Sequence, residues 1–117
     1  MIRLGHIERF VTDPMVSLAF YRDQLGFRVV EVQEEQFVWL ESNGIELLLR
    51  SGIPPAKAAT YAQAGTGLVL YTDDLPAVVA QLRQQNIHLV KAEPPEQCLF
   101  FTDPDGYWFQ LVDPGKH

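Results

Sequence analysis

Residues 3–12 interleave polar side chains with branched and aromatic ones (LGHIERFVT over 4–12) and read as a strand. The period then changes. Asp13-Pro14 carries a helix start, with Asp as the capping residue and Pro at the first helical position. Leu18, Tyr21 and Leu25 recur at helical spacing, and Phe20 widens the stripe. Gly26 follows as a residue able to close the helix at positive φ. Residues 27–32 and 36–41 read as strands, Ser42-Asn43-Gly44 as a turn, and 45–50 as a fourth strand. Residues 51–65 (SGIPPAKAATYAQAG) hold two prolines and many small residues without a clear period, and read as a linker.

The second half repeats the first. Thr12-Asp13 and Thr72-Asp73 lie 60 residues apart, and at that offset Gly26 meets Asn86, Phe27 meets Ile87 and Val30 meets Val90. Gly and Asn are the residues most tolerant of the left-handed conformation that ends a helix, so one closing device recurs in each half. Further on, Val38 meets Cys98 and Leu40 meets Phe100, and the turn Thr102-Asp103-Pro104-Asp105-Gly106 needs two residues more than its counterpart. Each half reads strand–helix–strand–strand–strand. The organisation predicted is one α+β domain made of module 1 (about 1–50), a linker (51–65) and module 2 (about 66–117).

A four-stranded sheet with one helix covers one face only. Strand alternation puts Ile45, Leu47 and Leu49 on the helix side with Ile7, Val11, Tyr107, Phe109 and Leu111. The opposite rows mix aromatic and polar groups: His6, Glu8, Phe10, Trp39, Glu46, Arg50, Tyr71, Trp108 and Gln110. That composition suits a cavity wall, with apolar area for affinity and a few polar groups for orientation. Cys98, aligned with Val38, is expected to be a buried, inert thiol. Asp103 and Asp105 make a turn with Pro104 and Gly106 rather than an acid pair.

Composition narrows the classes. With 47% hydrophobic residues, 117 residues suit one globular domain. The net charge of −6, with nine scattered basic residues, argues against nucleic acid or an anionic membrane as partner. A single cysteine forbids an internal disulfide, and no apolar run is long enough to span a bilayer. Arg3, Glu8 and Arg9 break any signal-peptide core, so a cytoplasmic protein is expected.

Asp13-Pro14 with Leu18, Phe20-Tyr21 and Leu25-Gly26-Phe27 resembles the "D…FY…LGF" signature of the vicinal oxygen chelate superfamily, which includes glyoxalase I, bleomycin- and fosfomycin-resistance proteins and extradiol dioxygenases. Asp74-Leu75-Pro76-Ala77-Val78 with Leu82 resembles its second helix start, and Phe101-Thr102-Asp103-Pro104-Asp105-Gly106-Tyr107 its "DPDG" turn. The resemblance covers nearly the whole chain. It implies two βαβββ modules whose curved, mixed β-sheets surround a cleft, completed in a homodimer or by pairing within one chain, and a homodimer is expected.

It also implies ligand positions. His6 falls on the first-strand metal-ligand position. Glu46, in Ile-Glu-Leu, falls on the fourth-strand position, although the repeat alignment with fewest gaps puts Leu48 there. Gln110 stands where a glutamate is usual, and the remaining position falls on Gly67, or on Thr66 at the 60-residue offset. The set departs from the family's four ligands, so no cofactor is expected. The chain is expected to bind a small molecule as bleomycin-resistance proteins do, with Trp39, Tyr71 and Trp108 stacking and His6, Glu46, Arg50 and Gln110 orienting. The alternative is a lyase, isomerase or dioxygenase of the glyoxalase type holding divalent Ni, Zn, Fe or Mn through His6, Glu46 and Gln110. A third reading is an interaction domain with a vestigial cavity.

Overall fold

Two aspartates start the two helices. Asp13 has an extended backbone, its side chain accepts from the Met15 N–H at 3.0 Å, and Pro14 opens the helix. Asp74 accepts from the Ala77 N–H at 3.2 Å, with Pro76 in the first turn. Both satisfy donors that a helix start leaves without an intrahelical partner.

The structure, a computed structural model, describes residues 1–91 and 98–116 and divides into two units, Met1–Ala56 and Lys57–His117. The first unit runs β1 (Ile7–Val11), α1 (Pro14–Ala19), a π turn (Phe20–Gln24), β2 (Arg28–Gln33), β3 (Phe37–Ser42) and β4 (Ile45–Ser51). The second runs a 3₁₀ turn (Tyr61–Gln63), β5 (Leu68–Tyr71), α2 (Leu75–Gln84), β6 (Val90–Lys91), β7 (Cys98–Thr102), β8 (Trp108–Val112) and a closing 3₁₀ turn (Pro114–Lys116). The sheets are ordered β1-β4-β3-β2 and β5-β8-β7-β6. In each, the first and last strands pair parallel and the rest antiparallel. The α+β class with two βαβββ modules is therefore as the sequence predicts. No helix among the described residues is long and apolar enough to cross a membrane.

The repeat does not keep one offset. Gly26 (φ 78°) and Asn86 (φ 62°) both close their helices in the left-handed region, 60 residues apart. The caps Asp13 and Asp74 are 61 apart, so the Thr72-Asp73 match slips by one residue. The first helical segment holds one residue more, and the π turn absorbs it. Phe27 N–H reaches back six residues to the Tyr21 carbonyl (2.9 Å), whereas Ile87 N–H reaches back five to Leu82 (3.0 Å). Leu99, not Cys98, is the register equivalent of Val38, because Val38 pairs with Leu49 and Leu99 with Leu111. Cys98 pairs with Val112 instead, and its side chain lies outside the described residues, as does the expected burial of its thiol.

α1 packs on β3 and β4, where Val38, Leu40, Leu47 and Leu49 are buried with Val11, Leu18 and Tyr21. Ile45, expected on this side, begins its strand beside the turn and stays 59% exposed. In the second sheet Leu99, Phe101, Phe109 and Leu111 are buried, and the Phe101 and Phe109 rings stack at 5.2 Å. Each such Leu or Phe contributes about 1.5–3 kcal/mol on leaving water. The turn before β8 is held by Asp103, whose buried carboxylate accepts from the Asp105 and Tyr107 N–H groups, both at 2.9 Å.

Candidate functional site

Side chains on paired strand positions share a face. On the first sheet, away from the buried row, Glu8, Leu48 and Trp39 form one line, and Phe10, Arg50 and Phe37 the next. Glu46 lies opposite Glu41 on the same face, and His6 immediately precedes β1.

Glu8 ties this face together. Its Oε1 accepts from Arg50 Nη1 at 2.9 Å, and its Oε2 lies 3.2 Å from His6 Nε2. The Arg50 hydrogen bond, followed by the one to His6, holds the Glu8 carboxyl below the usual glutamate range. The Arg50 guanidinium carbon lies 5.0 Å from the centre of the Phe37 ring and 5.6 Å from that of Phe10, within cation–π range. The His6 ring meets Trp39 edge-on at 4.6 Å. A carboxylate, an imidazole and a guanidinium are thus fixed beside three aromatic rings, a composition with both hydrogen-bonding and stacking capacity.

Glu46 is exposed and takes no part in that tie. Glu8 sits two residues after His6 and diagonally across the parallel pair from Arg50. Glu46 lies four residues from Arg50 along β4, about 13 Å at strand rise, so Arg50 turns to Glu8. Glu41, opposite Glu46, has Arg28 Nε at 3.7 Å.

On the second sheet the corresponding lines are Val69, Gln110 and Phe100, then Tyr71 and Val112. Trp108 pairs with Thr102, and Gly67 immediately precedes β5. The segment leading into this unit lies over the face. The Tyr61 ring stacks on Phe100 (4.5 Å, 19° between planes) and meets Trp108 edge-on at 6.4 Å. The Trp108 indole N–H donates to the Ala58 carbonyl at 3.0 Å, and Trp108 is only 9% exposed. A Cβ on Gly67 would lie 2.5 Å from the Tyr61 hydroxyl oxygen and 2.7 Å from Cζ. The ring occupies the space that a side chain at position 67 would need.

The registers settle which positions correspond. Ile7 pairs with Leu47 and Leu68 with Phe109, so Leu48 corresponds to Gln110 and Glu46 to Trp108. His6 then corresponds to Gly67, one residue ahead of each first strand. The second unit offers Gly67, Val69, Trp108 and Gln110 where the first has His6, Glu8, Glu46 and Leu48. Among the described residues no group of three or more His, Cys, Asp or Glu is placed to hold a metal ion.

Of the residues singled out from the sequence, His6, Trp39 and Arg50 meet in one cluster. Glu46 shares their face but stands apart. Gln110 lies half-buried between Val69 and Phe100, Trp108 is covered by the 57–64 segment, and Tyr71 is 72% exposed. Glu8 proves to be the hub of that cluster. Phe37 and Phe100 are wall residues outside the set singled out from the sequence; Phe37 lies two positions before Trp39, so alternation places it on the same face. Tyr61 carried no periodic signal.

A family model described as "Glyoxalase/Bleomycin resistance protein/Dioxygenase superfamily" matches residues 3–111. The uncharacterized protein YaeR of Escherichia coli (strain K12) is 32% identical across 95% of this chain and 95% of its own length. Among solved structures, the antibiotic-binding protein TnmS3 from Streptomyces sp. CB03234 superposes with a TM-score of 0.73 at 23% identity, covering 97% of this chain and 99% of that one. The genomically encoded fosfomycin resistance protein FosX from Listeria monocytogenes gives 0.78 at 16% identity, covering 96% and 91%.

Proposed function

The chain belongs to the glyoxalase/bleomycin resistance protein/dioxygenase superfamily, and from that premise we propose that it is a small-molecule-binding member that works without a resident metal. The observation that carries this reading is the Glu8 tie. The imidazole at the first-strand ligand position is engaged by Glu8, and the same carboxylate anchors Arg50. The other three ligand positions fit an ion poorly. The fourth-strand position falls on the exposed Glu46 by the family resemblance and on the apolar Leu48 by register with Gln110, Gln110 is itself a neutral amide, and Gly67 has no donor and no room for one beside Tyr61. The residues do suit orientation of a ligand: Arg50 and His6 supply directed polar contacts, and Trp39, Phe10 and Phe37 supply apolar area. The antibiotic-binding neighbour supports the same class by likeness of fold. On this reading Tyr71 and Gln110 are ligand-binding groups of the second sheet, as is Trp108 once uncovered.

Calorimetry with Ni²⁺ and with Zn²⁺ tests the metal-free reading. No stoichiometric binding is expected. Tight 1:1 binding that disappears in Glu46→Ala would overturn it in favour of the metal-dependent alternative. A fluorescence screen of planar drug-like compounds tests the binding half. A hit is expected to quench tryptophan emission and to lose about tenfold or more in affinity on Arg50→Ala, the scale of one charged hydrogen bond.

A further inference from the structure

We propose that the face of the second sheet is a site for a planar, phenol-like aromatic ring, and that Tyr61 occupies it in the resting chain as an internal stand-in. The inference deepens the small-molecule reading above and rests on it for biological sense, but its test does not depend on that reading.

Three observations carry it. First, the face is shaped for a ring. Phe100 offers a flat partner at stacking distance, Trp108 an edge-on wall, and Gly67 leaves a floor without a side chain. Any residue larger than glycine at position 67 would intrude on that space. Secondly, the occupant comes from a segment with few ties of its own. Tyr61 lies on a single 3₁₀ turn whose main-chain bonds, Gln63 N–H to Thr60 and Ala64 N–H to Tyr61, are internal to it. Among the described residues its hydrogen bond to the sheet is the one from Trp108 to the Ala58 carbonyl. Thirdly, the Tyr61 hydroxyl has no hydrogen-bond partner among the described residues, so the phenol is held by its ring and its removal breaks no polar contact.

An incoming ring of the same shape replaces the ring contacts of Tyr61 and swings the 57–64 segment off Trp108, breaking the bond from the Trp108 indole N–H to the Ala58 carbonyl. Gln110, half-buried in the line of Phe100, then faces it with an amide. The ligand class is therefore a planar aromatic carrying a small polar group. Only the fraction of chains with the segment displaced is competent, so the apparent affinity of such a ligand is lowered by that fraction.

The test is cavity rescue with p-cresol, the tyrosine side chain itself. In a Trp39→Phe background Trp108 is the sole tryptophan. Tyr61→Ala should raise acrylamide quenching of Trp108 and create a site that binds p-cresol 1:1, with p-cresol reversing the quenching. Affinity should be at least about tenfold tighter than in the chain with Tyr61 intact, and Gly67→Val in the Tyr61→Ala chain should abolish it. Tyr61→Leu, which keeps an apolar plug that cannot stack, carries the same test if Tyr61→Ala does not fold, with binding again tighter than in the intact chain. Folded variants that bind p-cresol no better than the Tyr61 chain, or that bind it equally with Gly67→Val, would overturn the proposal. Neither result bears on whether the metal titrations or the drug screen succeed.

Discussion

Glu8 divides one carboxylate between two partners, and its ionisation decides what both of them do. The charged form is favoured by Arg50 first and His6 second, so its pKa in the folded chain lies below the ordinary glutamate value. The sign follows: for a depressed acid the tie is complete above the ordinary value and is lost as pH falls through the lowered one. Glu8 and Arg50 are each more than a third exposed, so the tie adds little to global stability and serves mainly to aim Arg50. Side-chain carboxyl titration by NMR should place Glu8 below the ordinary glutamate value, and Arg50→Gln should return it toward that value. A Glu8 that titrates at the ordinary glutamate value in the unaltered chain would mean the tie does not hold in solution.

Two tight turns on the first sheet show what local chemistry reveals and what it conceals. Asn43 (φ 54°) and Gly44 (φ 80°) connect β3 to β4 with the pair of residues that a left-handed two-residue turn prefers, and the turn is plain in the sequence. Glu34 and Glu35, both at φ 55°, adopt the same left-handed backbone between β2 and β3 without either preferred residue. Each costs about 1 kcal/mol relative to a residue at ease there. Glu34→Asn with Glu35→Gly should therefore raise the melting temperature by about 3 °C or more, read by calorimetry. The reverse exchange, Asn43→Glu with Gly44→Glu, should lower it, and an unchanged melting temperature in both would refute the strain. The same contrast runs through the fold. Asp13, Gly26 and Asn86 are legible because a cap or a left-handed closure depends on residues a few positions away, whereas the repeat alone points to Asp73 and only the family resemblance marks Asp74. The π turn is not legible, since one extra residue in a helix leaves the apolar stripe nearly unchanged. Register was legible only to within a residue, which is why Val38 was matched to Cys98 instead of Leu99. Tyr61 over Gly67 was hidden because a segment without period gives no direction, and only the folded sheet shows which ring fills the gap.

At the scale of the whole molecule the sheets end in four edge strands, β1, β2, β5 and β6. Unprotected edges invite pairing with another chain, and three of these carry a device against it. β1 holds Glu8 and Arg9, β2 is broken by a bulge between Val29 and Glu31, and β6 is two residues long and includes Lys91. β5, Leu-Val-Leu-Tyr, has no charge, proline or bulge, and Val69 (48%) and Tyr71 (72%) are exposed along it. A charge of −6 keeps chains apart at long range, so pairing there needs a specific apolar contact. We expect a second copy of the chain to cover this strand, in keeping with the symmetric pairing that most soluble oligomers adopt. Sedimentation should give twice the 13.3 kDa chain mass at high concentration, and Val69→Lys should return it to the single-chain value. Hydrogen exchange at the β5 amides not bonded to β8 should slow as concentration rises. Slow exchange at every concentration together with a single-chain mass would place the cover within one chain. Fast exchange throughout would leave the edge bare. Either outcome defeats the pairing while leaving both sheet faces, and the Glu8 and Tyr61 arrangements on them, as they stand.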